Sequence, residues 1–418
     1  MRRDRRGQYP VGTGPVTWGA DGRRELNSAS APTVIFSHDR FGLALYTARV
    51  RGSGSRIGFA VVLVVCLCVP EASAQPEPVG QPDARPTFAE WLAGLRSEAL
   101  QRGLREDVVD GALADVQEPL SVVIERDRAQ AEIVLPLEGY IERRLSRGVV
   151  RTAREMLTRH QSLLAQVSER YGVSARTLVA IWGLESNFGR FAGVRPTIGA
   201  LATLAWDPRR SALFRRELLG ALEILNRGDI ELARMRGSWA GAMGQPQFMP
   251  SSYLRFAEDF DGDGRRDIWH SAADVFASIA SYLKGHGWVT DERWGREVSV
   301  PAAAATTIAA TVERRHGSCQ ATRNMSVALP VSEWSRFGVR AQDGGPLPDA
   351  DMPAALVSGS KRHFLVYGNY DALLAYNCAH AYAVTVGLLA DRIGTMSNAD
   401  GARPVQRRAA PTEPGRPR

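Results

Sequence analysis

From Thr87 onward, apolar residues recur at three- and four-residue spacing: Phe88, Trp91, Leu92 and Leu95 share one face of a helix. The same period runs through Val149 to Arg170, Ser174 to Ser186, Ser211 to Asn226 and Ala272 to His286. The chain therefore reads as mainly helical up to Trp288. Between Val298 and Val366 the pattern changes. Short β-branched runs, Glu297 to Val300 and His363 to Tyr367, alternate with turn residues such as Asp343-Gly344-Gly345-Pro346. This predicts a small β-rich insertion at about 295–367. Helical periodicity returns from about Tyr370 to Ile393, and no internal repeat or second module interrupts it. The expected class is mainly α with α+β character: a helical core, an added helical region and the insertion.

One polar residue breaks this pattern in an informative place. The helix opening at Ser174, a good N-cap residue, carries Leu178, Ile181 and Trp182 on its apolar face, and the next position in that series is Glu185. Asn187 and Gly189 then stop the helix, so Glu185 also lies in its last turn. Burial and the partial negative charge of the free carbonyls both disfavour an ionised carboxylate there. A carboxyl that stays protonated near neutrality is what general-acid cleavage of a glycosidic bond requires. The alternative is a glutamate that only rims the core and reaches water or an arginine.

Outside the periodic region, Arg51 and Arg56 precede the apolar run Ile57 to Val69, followed by Pro70 and Ala72-Ser73-Ala74. That order is read as a secretory signal with cleavage after Ala74, the alternative being an uncleaved signal anchor; the run is shorter than the roughly 20 residues of a spanning helix. Residues 50–74 are thus read as a signal peptide, 1–49 as a non-native or disordered extension, 75–86 as a linker, 87–395 as the catalytic domain and 396–418 as a disordered tail. Composition agrees with a folded exported protein: 418 residues, 44 % hydrophobic and 23 % charged. The net charge of +7 gathers partly at the two ends, in arginines, with no basic run interleaved by aromatics. Nucleic acid is therefore not an expected partner.

Cys66 and Cys68 leave with the signal, so the mature chain keeps Cys319 and Cys378. A lone pair in an oxidising compartment reads as a disulfide, against the alternative of two separate buried thiols. The run Asp259-Phe260-Asp261-Gly262-Asp263-Gly264 has the opening spacing of a calcium loop. His270 stands where such a loop usually has its bidentate glutamate, Asp274 is a late candidate to close it, and Arg265 offers a backbone carbonyl. The alternative is an acidic turn that caps the following helix.

Four runs together carry a family resemblance. Trp182 to Gly189 resembles the Glu-Ser motif of the membrane-bound lytic murein transglycosylase B family, and Ser238 to Ser252 is similar to its second signature. Asp259 to Gly264 with Asp267-Ile268-Trp269, and Tyr376-Asn377 with Tyr382, are the third and fourth. The resemblance implies a lysozyme-like helical core. It implies that the bond between N-acetylmuramic acid and N-acetylglucosamine in peptidoglycan strands is cleaved to a 1,6-anhydro end by one glutamate, Glu185, as acid and then base. It further implies a cleft lined by Tyr140, Ser238, Gln247, Tyr282, Tyr376, Asn377 and Tyr382, a structural calcium ion on the acidic loop, and no cofactor for the chemistry itself. A monomer in the periplasm of a Gram-negative envelope is expected. A hydrolytic muramidase using the same site, or a non-catalytic peptidoglycan-binding protein, are the alternatives.

Overall fold

The computed structural model describes residues 86–130, 135–348 and 352–394; the signal-like segment, the extension before it, the linker up to 85 and the tail from 396 lie outside the described residues. The first helix, Phe88–Gln101, starts at Thr87, whose side chain accepts from the Glu90 amide while the Glu90 carboxylate accepts from the Thr87 amide.

Three hydrophobic centres organise the described residues. The largest surrounds the helix Ala175–Ser186, which packs against Arg147–Arg159, Gln161–Tyr171, Ala272–Gly285 and His380–Gly394. The second joins Phe88–Gln101 and Glu106–Leu113 to Thr197–Trp206, Ser211–Arg227 and Pro250–Phe256. The third lies inside the insertion, around Trp334, Val298 and Leu356.

The insertion holds a five-stranded antiparallel sheet in the order Leu329–Pro330, Pro353–Ser358, His363–Val366, Gly295–Ser299, Arg340–Ala341. It is less purely β than its sequence suggests, because Ala302–Thr311, Gln320–Arg323 and Val331–Arg336 are helices. Side chains alternate across a strand, and that alternation ties the insertion to the rest. Ala355, Val357, Phe364 and Val366 enter the core around the Glu185 helix, while Ala354, Leu356 and Leu365 face the insertion's own centre. Both faces of the central strands are therefore covered.

Two long helical periods are broken in the structure. Val149 to Arg170 divides at His160, whose ring turns edge-on to Trp182 and Phe276 at 5.6 and 5.5 Å. The last period divides into Gly368–Tyr376 and His380–Gly394, bent by 118°. Apolar spacing reads through both breaks because the apolar residues that flank them, Met156 and Leu164, Leu374 and Tyr382, stay buried. At the second break Asn377 leaves the helical region, and Cys378 is bonded to Cys319 of the insertion, with Cα atoms 5.8 Å apart. Cys378 thus sits in the bend and not on the final helix.

Candidate active site

The helix Ala175–Ser186 begins at Ser174, whose side chain accepts from the Thr177 amide, and ends at left-handed Asn187. Periodicity predicts one apolar face for it. The structure buries it on all sides: from Thr177 to Ser186 every residue is buried except Glu185. Beyond its first turn, a helix enclosed by four others has no polar face to show, so Glu185 marks where that buried run meets solvent.

Protein surrounds the Glu185 carboxyl, and that burial pushes it up to about 7, against the Tyr382 hydroxyl and the Arg144 charge, which pull it down. No other carboxylate is among the groups that shift it. Arg144, on the helix Leu137–Arg144, donates to the Leu184 carbonyl and so stands beside the last turn. The Tyr382 hydroxyl is buried, interacts with Glu185 and meets no partner with full hydrogen-bond geometry.

The tyrosines singled out from the sequence gather here, in two tiers. Tyr140, Tyr376 and Tyr382 all feel the Glu185 charge, and burial raises each phenol, so all three stay neutral. Tyr376 and Tyr382 lie nearly parallel, with ring centres 6.3 Å apart, and the Tyr376 hydroxyl donates to the Pro246 carbonyl at 2.7 Å. Tyr282 stands behind Tyr376, rings 4.8 Å apart, buried and with its hydroxyl donating to the Ala375 carbonyl. It packs against the back of Tyr376. Asn377 is exposed at the bend.

The second signature, Ser238 to Ser252, is a tight loop. The Ser238 hydroxyl oxygen accepts from the amides of Ala240 and Ala242 at 3.2 and 3.1 Å, so what it can offer a ligand is its proton. Gln247 is held left-handed, φ 55°, and its amide nitrogen donates to the Gly244 carbonyl at 2.8 Å. Its carbonyl oxygen is left to accept. A cavity of about 540 Å³ lies at the opposite end of the Glu185 helix, lined by Ser174, Thr177, Trp288 and Trp294 among others. None of the site residues expected from the sequence lines it.

Sequence reading passes over two residues. The Ser186 hydroxyl donates to the Trp182 carbonyl at 2.9 Å and accepts from the Gly189 amide at 3.0 Å, closing the helix end. Gln245, in the second signature, accepts from the Trp182 indole at 2.7 Å and donates to the Trp269 carbonyl at 2.7 Å. Both lie inside the runs that carry the resemblance, which is the sequence signal for them.

In the acidic loop, Asp259, Asp261 and Asp263 bring one carboxylate oxygen each to within 4.8 Å of one another. Asp259 accepts from the amides of Gly262, Asp263 and Gly264, and Asp263 accepts from the Arg265 amide. Three clustered carboxylates, two of them exposed, suit a hard divalent cation. Asp274 does not join them. It is fully buried, and its two oxygens accept from the amides of Phe260 and Asp267, both at 2.8 Å. Burial pushes Asp274 up to about 6 although those amides pull it down. It ties the loop's two ends together.

Comparison with known proteins bears on this geometry. A family profile described as the transglycosylase SLT domain matches residues 87–391. Over 135 residues the chain is 39 % identical to the membrane-bound lytic murein transglycosylase B of Escherichia coli (strain K12), a match covering 32 % of this chain and 37 % of that protein. This match therefore spans little more than a third of that relative's length. The fold is similar to SltB3 from Pseudomonas aeruginosa, solved in complex with NAG-anhNAM-pentapeptide. Identity is 41 % and the TM-score 0.66, over 73 % of this chain and 79 % of that one. It is also similar to the Escherichia coli lytic transglycosylase Slt35 solved in complex with calcium, at 25 % identity and a TM-score of 0.60, over 73 % and 92 % of the two chains. The helical architecture with its small sheet is the lysozyme-like one of these relatives.

Proposed function

Because the chain belongs to the transglycosylase SLT domain family, we propose that it cleaves peptidoglycan strands between N-acetylmuramic acid and N-acetylglucosamine, with Glu185 as acid and then base. One observation carries the reading: a carboxyl raised to about 7 stands at the one break in the buried run from Thr177 to Ser186, and among the described residues no second carboxylate shifts it. Hydrolytic glycosidases use two such groups, one as base or nucleophile. With one, the nucleophile has to come from elsewhere.

Glu185, protonated, gives its proton to the glycosidic oxygen as the bond from the muramic anomeric carbon breaks. The resulting carboxylate takes the proton of the same sugar's 6-hydroxyl, whose oxygen closes onto that carbon. The products are a free N-acetylglucosamine 4-hydroxyl and a 1,6-anhydro end; no water is consumed, and Glu185 is protonated again. Neutral, half-buried Tyr376 and Tyr140 offer ring faces to the sugars, and the buried Tyr382 stands against Glu185. Ser238 offers its proton to an N-acetyl carbonyl, and Gln247 and Asn377 offer amide groups along the strand. SltB3 in complex with NAG-anhNAM-pentapeptide supports a substrate of this kind.

Asp259, Asp261 and Asp263 would hold a calcium ion, with the Arg265 carbonyl as a further oxygen. The ion's contribution is to offset three like charges and stiffen the turn. Slt35 in complex with calcium supports this. The Cys319–Cys378 bond fits an oxidising compartment, and we place the protein in the periplasm. Digestion of purified sacculi tests the function: released muropeptides lighter than reducing ends by one water support it. Reducing ends of full mass would show hydrolysis instead, and no release would leave only binding.

A further inference from the structure

We propose that Gln245 is a positioning residue for Glu185, its amide clamping the last turn of the Glu185 helix to the segment that follows the acidic loop. The inference rests on Glu185 being the acid, and no step of the proposed reaction uses Gln245.

Three segments distant in sequence meet at this one side chain. Its oxygen accepts from the Trp182 indole, one turn before Glu185, and its nitrogen donates to the Trp269 carbonyl; its backbone amide donates to the Ile268 carbonyl at 2.9 Å. Gln245 is buried, so neither bond has water as a ready substitute. The reversal after Glu185 is seated on the same amide. Asn187, Phe188 and Gly189 are left-handed in succession, φ 52°, 60° and 77°. A Cβ at Gly189 would stand 2.6 Å from the Gln245 oxygen and 3.1 Å from the Trp182 ring. Non-glycine residues hold such a conformation only where their surroundings enforce it.

Ser186 completes the arrangement by bonding the Trp182 carbonyl to the Gly189 amide. Trp182, Ser186, Gly189 and Gln245 thus enclose the turn that carries Glu185. Both functions of the amide are needed, one accepting and one donating. A carboxylate in its place would lose the bond to Trp269, and a thioether would lose both.

The test is the pH dependence of sacculus cleavage by Gln245→Met. We expect kcat to fall about tenfold with apparent KM within about twofold, because the acid is misplaced and the strand still binds. The alkaline limb of the profile moves to lower pH, since water entering the loosened turn restores solvation of the Glu185 carboxylate. Trp182→Phe cuts the same bond from its other end and gives the same shift. The double variant is no worse than the poorer single, as expected of residues acting through one bond. Carboxyl-carbon NMR of Glu185, assigned by its loss in Glu185→Gln, reads the same shift independently of turnover, so failure of the proposed chemistry leaves this test intact. Activity falling only with the folded fraction, with the Glu185 titration unmoved, would overturn the proposal. Full additivity of the two variants would do the same.

Discussion

Glu185 and Asp274 are both carboxyls that burial pushes up, to about 7 and about 6, yet their oxygens are used in different ways. Asp274 has both engaged by backbone amides from either side of the acidic loop. Glu185 meets one hydroxyl, off full geometry, and the field of one arginine. A buried carboxylate with its acceptors filled is a structural tie. One whose acceptors are left open, at the break in an otherwise buried run of helix, keeps its proton for exchange. The difference lies in hydrogen bonding, since desolvation is the largest influence on both.

The largest effect expected of this contrast is at Glu185. Gln at this position keeps the shape and the hydrogen-bonding oxygen and removes the exchangeable proton. Turnover on sacculi should drop by about 10²–10⁴-fold, with sedimentation of the variant alongside sacculi unchanged. Turnover near that of the parent would remove Glu185 from the chemistry and leave it another buried acid like Asp274.

The acidic loop should respond in stability and not in chemistry. If Asp259, Asp261 and Asp263 hold calcium, the ion at a hundredfold excess over its dissociation constant stabilises the folded state by about 2.7 kcal/mol. Scanning calorimetry should show the melting temperature rise with calcium, and the rise should vanish when Asp261 and Asp263 are both replaced by Ala. A parent protein indifferent to calcium would reduce the loop to a turn held by Asp259 and tied by Asp274.

How much of these two regions is legible in the sequence depends on how local each signal is. Glu185 is legible because a carboxylate in a 3.6-residue apolar period is anomalous on its own helix, and the three aspartates are legible because alternate spacing is local too. The tie made by Asp274 is not legible because its partners, the amides of Phe260 and Asp267, are backbone groups, and no residue type announces a backbone donor. Tyr282 is a similar case. A tyrosine at the expected spacing gives no sign that its hydroxyl is committed to the Ala375 carbonyl. The breaks at His160 and Asn377–Ala379 are hidden because the core residues flanking them, Met156 and Leu164, Leu374 and Tyr382, keep the apolar period while the backbone turns. Sheet pairing and the two-sided burial of Pro353–Ser358 depend on which core each face meets, which is a tertiary fact.

The smallest effect is the most direct measure of the contrast, because it reads the burial of Glu185 without substrate. Its carboxyl titrates near 4.5 when unfolded and about 7 when folded. Between those values the folded state binds the proton more tightly, so the stability owed to this group is present at low pH and is lost as pH rises through the window. Asp274 contributes with the same sign from 3.8 to about 6, but it is common to the parent and to Glu185→Gln. Subtracting one melting curve from the other therefore isolates Glu185. The parent-minus-variant difference should decline as pH is raised from 4.5 and level off above about 7. Its slope should stay below the ceiling of about 1.4 kcal/mol per pH unit for one group, since one side of Glu185 opens toward solvent. A difference that does not change with pH would mean that the carboxyl is solvated as freely in the folded chain as in the unfolded one. The distinction from Asp274 would then have to be rebuilt on geometry alone.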